Sequence, residues 1–293
     1  MHIYDCFMYY DEDLILDLRL NLLDKYIKKF VIVESCYTHS GKKRDLKFDI
    51  KNFQKFKHKI EYIIVDKLPE NIKELNSSDT KNQANSKILD NALSRENYQR
   101  NQIALGLNSC SDEDLVIIND IDEIPNLENF QHNRKISVFY QKMFYYKFNL
   151  KHPSLIWVGS KACKKKNLIS PQWLRNIKSK KYNFWRFDVL FSKKKYFSIN
   201  FVKNGGWHFT SIKKPEDIHY KLSNFLHHLE YEESNTSMEA LSKIIKERKV
   251  LYDHSVDKRQ EKWKSSITLS KVKDDELPPY LINNKKKYSE FIE

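Results

Sequence analysis

The sequence contains few glycines, and this scarcity restricts the ways in which the chain can hold phosphate. Only five of its 293 residues are glycine, and the G-x-x-x-x-G-K pattern of a phosphate-binding loop is absent. The adjacent pair Gly205 and Gly206 is therefore conspicuous. The composition excludes a nucleotide site that is built on a glycine-rich phosphate loop.

Cysteine pairs and long apolar runs are also missing. The four cysteines form no C-x-x-C pair, so neither zinc-site spacing nor a disulfide framework is present. No segment approaches the roughly 18–20 apolar residues of a membrane span. The first residues lead into a strand-like segment without a basic region, so no signal peptide is expected. These observations predict reduced cysteines and a cytoplasmic location.

Positive charge, in contrast, is abundant. The net charge is +13, and much of the excess lies in the lysine-rich segments 164–166, 178–181, 193–195 and 285–287. A basic surface favours anionic partners such as nucleic acid, acidic membranes or nucleotide phosphates. A solvated, lysine-rich surface without a partner accounts for the same runs. Apolar residues make up 40% of the chain, a proportion that is typical of folded rather than disordered proteins.

The first half of the chain alternates strand and helix patterns. A strand over 3–10 precedes a leucine-rich helix that Asp11 or Asp13 can cap. A continuously apolar run over 30–33 indicates a strand with both faces covered. Further predicted elements are a strand over 60–65, a helix over 81–107 and a strand over 115–118.

The second half favours antiparallel strands and short helices. The predicted elements are strands over 138–146, 184–191 and 196–202, helices over 215–229 and 237–251, and an extended segment over 277–281. No internal repeat or low-complexity linker divides the chain. We therefore predict one α/β domain over 1–293, with a nucleotide-binding half over 1–126 and an acceptor half over 127–293.

An acidic motif follows the strand over 115–118. Asp120 and Asp122 are two positions apart, and Pro125 ends the segment. Strand residues two apart point to the same side, and open α/β sheets bind ligands at the carboxyl ends of their strands. Two carboxylates that converge there suit a divalent cation, and such a cation suits a diphosphate. Asp-x-Asp is also common by chance in turns.

Taken together, these segments resemble glycosyltransferase family 17. The likeness is carried by residues 3–7, 30–35 with Thr38 and Gly41, 46–48, 95–101, 114–125, 205–209 with Pro215, Glu216 and Lys221, and 279–282. It spans nearly the whole chain. The D-x-D-E-I-P and G-W-H segments together are much more specific than either alone.

The resemblance implies a GT-A-type fold with a mixed central sheet flanked by helices. It also implies a UDP-GlcNAc donor, dependence on Mn²⁺ or Mg²⁺, and inversion at the anomeric carbon. Animal members are anchored in the Golgi, whereas this sequence shows neither an anchor nor a stem. That departure puts a Golgi glycoprotein acceptor in doubt. A glycan or lipid-linked glycan is the expected acceptor, with peripheral contact to a membrane.

The metal site is expected from three residues. Asp120 and Asp122 are the carboxylate candidates, and Asp120 is also a candidate for binding ribose. His208 is the third candidate, because an imidazole nitrogen suits Mn²⁺ better than Mg²⁺. A lone histidine is more often structural. The glycines before it would let the backbone approach the donor closely.

Several residues are candidates for donor binding. Glu34, Ser35 and Thr38 follow the second strand, where a uracil or ribose would be bound, although ordinary capping of the strand end is the alternative. Arg100 can reach a diphosphate or pair with Glu96 four positions before it.

Two further residues are candidates for contact with the donor. Trp207 either packs against a sugar or fills the core. Lys47, like Lys221, is a phosphate candidate in a chain whose lysines are mostly solvated.

The catalytic base is not settled by the sequence. An inverting transfer needs a group that accepts the proton of the acceptor hydroxyl, normally a carboxylate. Glu216 matches the family pattern, and Asp188 and Glu123 compete with it.

Two other classes of function are alternatives to a glycosyltransferase. Aromatics interleaved with lysines over 180–195 suggest a nucleic-acid-binding protein, which would leave the acidic pair unexplained. A metal-dependent nucleotidyltransferase usually needs a third acidic ligand and a glycine-rich loop, and neither is evident. The prediction is therefore a UDP-sugar as partner and no nucleic acid, with the oligomeric state open.

Overall fold

The computed structural model describes residues 1–225, 228–255, 262–263 and 265–293. Its strands are β1 (Ile3–Tyr9), β2 (Lys29–Ser35), β3 (Ile60–Val65), β4 (Leu115–Asp120), β5 (Glu123–Pro125), β6 (Ile136–Phe139), β7 (Gln141–Tyr145), β8 (Leu150–Trp157), β9 (Lys161–Lys164), β10 (Ile199–Val202), β11 (Gly206–Thr210) and β12 (Ser270–Lys271). Its α-helices are α1 (Asp13–Leu23), α2 (Lys81–Asn101), α3 (Pro171–Asn176), α4 (Pro215–Leu222), α5 (His228–Ser234), α6 (Met238–Lys246), α7 (Pro279–Asn283) and α8 (Lys285–Tyr288).

The larger sheet has seven strands in the order β10-β6-β9-β4-β1-β2-β3. Strand β1 lies between β2 and β4 and pairs with both in parallel, and β2 pairs with β3 in parallel. Strand β9 is antiparallel to both of its neighbours, β4 and β6, so the sheet is mixed. The predicted α/β class with a mixed sheet flanked by helices is confirmed.

Both faces of this sheet are covered, which explains the continuously apolar strand sequences. Phe30 and Ile117 pack into one core together with buried leucines of α1. Val31 and Val116 are adjacent to these residues in sequence, so their side chains point to the opposite face of the sheet. They pack into the other core with Leu174 of α3. Each strand therefore contributes side chains to two separate cores.

The helices begin at recognisable signals. Thr80 and Gln83 form a reciprocal capping box at the start of α2. The N-cap of α1 is Glu12 rather than the predicted Asp11 or Asp13. The helix predicted over 81–107 ends at Asn101 and continues as a 3₁₀ segment. Within the described ranges, no helix combines the length and the apolar character that a bilayer crossing needs.

The smaller sheet has the strand order β12-β8-β7-β11-β5. Strand β5 follows β4 after a two-residue turn, so the chain passes directly from one sheet into the other. Strand β11 pairs with β5 in antiparallel and with β7 in parallel. One of its cores is shared with helices α4 and α6, through Ile218 and Leu241.

The strand predicted over 184–191 is wrong. This segment consists of turns and a short 3₁₀ helix over Phe187–Val189, and all four of its aromatic side chains are exposed. Aromatic residues favour strands because they pack on a half-buried pleated surface, and this segment has no such surface to cover.

Other boundaries also differ from the sequence predictions. The segment over 138–146 forms two strands, β6 and β7, and only the last four residues of 196–202 form β10. The predicted helix over 215–229 ends at Leu222, and its residues 226 and 227 lie outside the described part of the chain. The helix over 237–251 ends at Lys246. The predicted extended tail is instead the start of α7, whose Leu281 is buried.

Gly206 is required by the close approach of β11 to β5. Its φ is +126°, and a Cβ atom there would lie 2.1 Å from the carbonyl oxygen of Ile124. At Gly205 a Cβ atom would lie 2.8 Å from the backbone nitrogen of Tyr140. The two glycines therefore permit contacts between strands of the protein itself, and the expectation that they bring backbone to a donor is not needed to explain them.

Replacing Gly206 with alanine should destabilise the fold. The unfavourable φ and the contact with Ile124 together should lower the free energy of unfolding by about 1–3 kcal/mol. Urea denaturation measures the change, with Lys203→Ala, at an exposed position in the preceding turn, as the control. An unchanged midpoint for Gly206→Ala would contradict this explanation of the glycine.

Candidate active site

A cavity of about 420 Å³ lies at the carboxyl ends of β1, β2 and β4. Helices α2, α3 and α4 and strand β11 close its other sides. Polar and charged side chains that line it include Glu12, Ser35, Thr38, Glu96, Arg100, Asp120, Asp122, Arg175, His208 and Lys221. This is the edge of an α/β sheet at which ligands normally bind.

The acidic motif forms a turn at this edge. Asp120 is the last residue of β4, and Asp122 lies in the turn before β5. Both side chains line the cavity. Their convergence does not arise from strand alternation, as the spacing argument assumed, because the strand ends at the first aspartate.

Arg19 holds this turn from inside the protein. The side chain is fully buried and donates two hydrogen bonds to the carboxylate of Asp5, at 2.6 and 2.7 Å. Its remaining nitrogen, Nη1, donates to the carbonyl oxygens of Ile121 at 3.0 Å and Glu123 at 2.7 Å. Asn119 donates to the same Asp5 carboxylate at 2.6 Å. The backbone of the acidic turn is therefore fixed by a charged network beneath it.

Asp120 lies between two arginines. Its Oδ1 accepts a hydrogen bond from Arg100 at 3.0 Å, and its Oδ2 accepts one from Arg175 at 2.8 Å. Burial alone would raise the pKa of Asp120, but the charges of Arg175 and Arg100 outweigh it and hold the pKa well below its usual value. Asp120 is therefore ionised, and its charge is balanced by the protein.

Glu123 is fully buried and pairs with Arg175. Its carboxylate accepts hydrogen bonds from Arg175 Nη1 at 2.7 Å, from Trp157 Nε1 at 2.7 Å and from the backbone N–H of Asp120 at 2.9 Å. With these donors it orients Arg175 and Trp157. Glu123 is not among the residues that line the cavity.

Helix α3 presents Arg175 because its last turn is fixed from below. Lys161 on β9 donates from Nζ to the carbonyl oxygens of Arg175 at 2.5 Å and Ile177 at 2.6 Å. Burial lowers the pKa of Lys161 to about 7, and the neighbouring charge of Arg175 acts in the same direction. The helix begins with Pro171 at its first turn and a Ser170 cap.

Asp122 forms the second charged cluster of the cavity. Its Oδ1 lies 3.3 Å from His208 Nε2, and its Oδ2 lies 3.9 Å from Lys221 Nζ. Lys221 Nζ also lies 3.4 Å from Glu12 Oε1. Burial opposes ionisation of Asp122, but His208 and then Lys221 lower its pKa. The indole ring of Trp157 packs on the imidazole, with ring centroids 4.6 Å apart.

The contact between Asp122 and His208 fits two ligands of one metal ion. Two neighbouring ligands at about 2.1 Å from an octahedral ion are roughly 3 Å apart, close to the 3.3 Å between Oδ1 and Nε2. Among the described residues, no group of three or more histidine, cysteine, aspartate or glutamate side chains could hold an ion. The protein residues therefore fit a metal only as a pair, with a bound substrate or water completing the coordination.

The cations of the cavity are already paired with carboxylates. Of the described residues that line it, Arg100 and Arg175 pair with Asp120, and Lys221 faces Asp122 and Glu12. A fourth cation, Arg44, lies 2.9 Å from buried Glu34. The excess positive charge of the chain is therefore located elsewhere, on its surface.

A sequence model of glycosyltransferase family 17 matches residues 1–159, just over half of the chain. The chain belongs to glycosyltransferase family 17. The matched residues include the acidic turn and Arg19, whereas Arg175, His208 and Lys221 lie beyond them. No curated protein sequence gives a significant match. The protein is therefore a glycosyltransferase, and the cavity is its candidate active site.

Of the three residues predicted at the end of β2, two line the cavity and one does not. Ser35 and Thr38 line the cavity. Glu34 is fully buried, and it accepts hydrogen bonds from the backbone N–H groups of Lys47 and Phe48 at 2.7 and 3.1 Å. The side chain of Lys47 is exposed and outside the cavity. Glu34 thus fixes the loop after β2.

Three other predicted residues lie away from the cavity. Trp207 points from β11 to the opposite side from His208 and donates from Nε1 to the carbonyl oxygen of Glu276 at 2.8 Å. Asp188 is on the surface and pairs with arginine and lysine side chains of its own segment. Glu216 is exposed in the first turn of α4. The structure does not bring these side chains to the acidic turn.

Sequence reasoning missed several residues of the site. Arg19 carried a signal, because it is a lone arginine among the leucines of a buried helix face. Arg175 and Trp157 carried none, since each reaches the site from a segment that contains no recognisable motif. Glu12 was missed because it precedes α1 among other acidic residues.

Replacing Arg19 with methionine should destabilise the enzyme strongly. Asp5 would remain buried without its counter-charge, which typically lowers the free energy of unfolding by about 3–5 kcal/mol. Urea denaturation of Arg19→Met, Asp5→Asn and the double variant measures the coupling. The double variant should lose much less than the sum of the single losses. Additive losses would contradict a direct interaction.

Proposed function

We propose that this family 17 member is an inverting, metal-dependent transferase of GT-A type that transfers GlcNAc from UDP-GlcNAc to a glycan hydroxyl. The observation that carries the proposal is the contact between Asp122 and His208 at the sheet edge, beside Asp120. The two side chains offer one carboxylate oxygen and one imidazole nitrogen on the same side of the cavity. A nucleotide sugar has the diphosphate that such a site requires.

The charge balance of the cavity supports the need for a cation. A donor diphosphate adds negative charge to a site whose described cations are already paired with carboxylates. Mn²⁺ or Mg²⁺ held by Asp122 and His208 would supply the missing positive charge and stabilise the departing UDP. The imidazole ligand favours Mn²⁺.

The other residues of the cavity take roles that follow from their positions. Arg100 and Arg175 fix Asp120 at the end of β4, where it can accept hydrogen bonds from the ribose. Ser35 and Thr38 present hydroxyl groups at the end of β2 for the uridine. Lys221, whose Nζ lies 3.9 Å from Asp122 Oδ2, would contact the phosphate oxygens.

Inversion requires a base at the acceptor hydroxyl. Glu12 and Glu96 also line the cavity, and the roles given to Asp120 and Asp122 leave these two carboxylates available. Glu96 accepts a hydrogen bond from Arg100 at 2.7 Å. In Glu12, Oε2 accepts hydrogen bonds from the backbone N–H groups of Tyr10 and Asp11, both at 3.1 Å, while Oε1 makes the longer contact of 3.4 Å with Lys221 Nζ. We therefore place the base at Glu12 ahead of the sequence candidates Glu216, Asp188 and Glu123.

The acceptor in this proposal is a glycan or a lipid-linked glycan, and the enzyme acts in the cytoplasm. Four cysteines without a disulfide are consistent with a reducing compartment.

A panel of UDP-sugars tests the donor and the metal together. UDP release from UDP-GlcNAc should require Mn²⁺ or Mg²⁺ and should exceed release from UDP-glucose and UDP-galactose. Proton NMR of the product with a simple glycan acceptor reports the anomeric configuration. A rate that is unchanged by chelation, or the absence of release from every UDP-sugar in Mn²⁺, would refute the proposal.

Asp122→Asn should weaken metal binding without unfolding the enzyme. Loss of a ligand charge should reduce Mn²⁺ affinity in the presence of UDP roughly ten-fold or more, measured by electron paramagnetic resonance of free Mn²⁺. His208→Gln should weaken it similarly. Asp275→Asn, an exposed aspartate near the C-terminus, is the matched control. Unchanged Mn²⁺ affinity in both site variants would remove these ligands from the proposal.

The assignment of the base predicts a contrast between two glutamates. Glu12→Gln should reduce kcat by a factor on the order of 10²–10⁴ while UDP binding is retained. Glu216→Gln should leave kcat nearly unchanged, because that side chain is exposed outside the cavity. The opposite pattern would return the role of base to Glu216.

A further inference from the structure

A loop after α3 exposes large apolar side chains. Within residues 182–191, here named the aromatic loop, the exposed fractions are high at Phe184 (83%), Trp185 (58%), Phe187 (69%), Leu190 (66%) and Phe191 (89%). Five such side chains within eight positions form an apolar patch. Patches of this kind mark surfaces that bind another protein or a membrane. The active-site chemistry leaves these residues unused.

The aromatic loop lies between two groups of lysines. Residues 178–195 contain seven basic residues and one acidic residue, Asp188. The carboxylate of Asp188 pairs with Arg186 at 2.6 Å and Lys195 at 2.6 Å, so its charge is neutralised. The remaining lysines leave the surface around the apolar patch strongly positive. An anionic partner with an apolar interior complements both features.

Hydrogen bonds fix the base of the loop to the rest of the protein. The N–H of Lys178 donates to the carbonyl oxygen of Lys194 at 2.7 Å and closes the loop. The indole of Trp173 on α3 donates to the carbonyl oxygen of Lys193 at 2.7 Å. Within the loop, two successive hydrogen bonds form the short 3₁₀ helix: the N–H of Val189 donates to the carbonyl oxygen of Arg186, and the N–H of Leu190 to that of Phe187, both at 3.0 Å. The exposed side chains therefore project from a defined platform.

We propose that the aromatic loop is a docking surface for an anionic lipid bilayer. Aromatic and leucine side chains enter the boundary between headgroups and acyl chains, and the flanking lysines contact acidic headgroups. A single-stranded nucleic acid would instead need a basic groove in which bases stack, and no residue of the loop lines either described cavity. A projecting apolar tip with a basic rim fits a bilayer better than a nucleic acid strand.

The position of the loop connects this surface to the active site. Helix α3 contacts the base of the loop through Trp173 and presents Arg175 to the cavity. Docking would thus hold the cavity close to the bilayer. The proposal does not depend on the identity of the donor, because it rests on the loop alone.

Vesicle sedimentation of the full chain tests the proposal. Wild-type protein should bind phosphatidylglycerol-containing vesicles more tightly than phosphatidylcholine vesicles. The variant Phe184→Ser/Phe191→Ser should bind at least roughly ten-fold more weakly, because two large apolar side chains no longer enter the interface. Lys180→Gln/Lys181→Gln should lose roughly five-fold per lysine on the anionic vesicles. Blue-shifted fluorescence of Trp185, absent in Trp185→Ser, should accompany binding.

Matched substitutions elsewhere serve as controls. Leu105→Ser/Ile169→Ser removes two exposed apolar side chains outside the loop, and Lys51→Gln/Lys57→Gln removes two exposed lysines. Vesicle binding that falls equally in loop and control variants would overturn the proposal. So would binding of a single-stranded RNA without binding of vesicles, or a wild-type dimer in light scattering that Phe184→Ser/Phe191→Ser converts to a monomer. None of these readouts uses enzyme activity, so they are independent of the proposed transfer reaction.

Discussion

The buried pairing of Arg19 with Asp5 is the interaction on which the site depends most. It joins α1, β1 and the acidic turn, because one guanidinium donates to the Asp5 carboxylate and to the carbonyl oxygens of Ile121 and Glu123. A charged pair of this kind is costly to bury unless each of its polar atoms is satisfied. Here the requirement is met by Asn119 and by the turn itself. The position of Asp122 is consequently set by contacts that no ligand ever touches.

A second constraint is the charge balance of the cavity. The cavity is surrounded by a protein of net charge +13, yet the described cations that line it are committed to carboxylates. Such pairing keeps arginine side chains in defined positions before any ligand arrives, which is the form of preorganisation that binding sites require. It also separates two uses of positive charge. Paired charge inside orders the site, and unpaired lysine outside, above all around the aromatic loop, is available for a large anionic surface.

Much of the larger sheet could be predicted from the sequence, since β2 and β4 contain continuously apolar runs that need two covered faces, and β1 is rich in aromatic and aliphatic residues. The acidic turn was found because it follows such a run. The residues that complete the site were harder to find, as Arg175 comes from a six-residue helix more than fifty positions further along the chain. Aromatic content misled at 184–191, where residues that favour strands lie on the surface without a neighbouring strand. Position relative to the cavity also separates three buried residues: Ser35 and Thr38 line it, whereas the Glu34 carboxylate accepts hydrogen bonds from the protein's own backbone.

The short connection between β4 and β5 has a mechanical consequence. Asp120 ends a strand of the larger sheet, whereas Asp122 precedes a strand of the smaller one, and His208 stands on the neighbouring strand of that smaller sheet. A ligand that binds both aspartates therefore contacts both sheets. Its binding energy opposes movement of one sheet relative to the other. The protein should accordingly be stiffer with such a ligand bound than without it, because the ligand joins the two sheets.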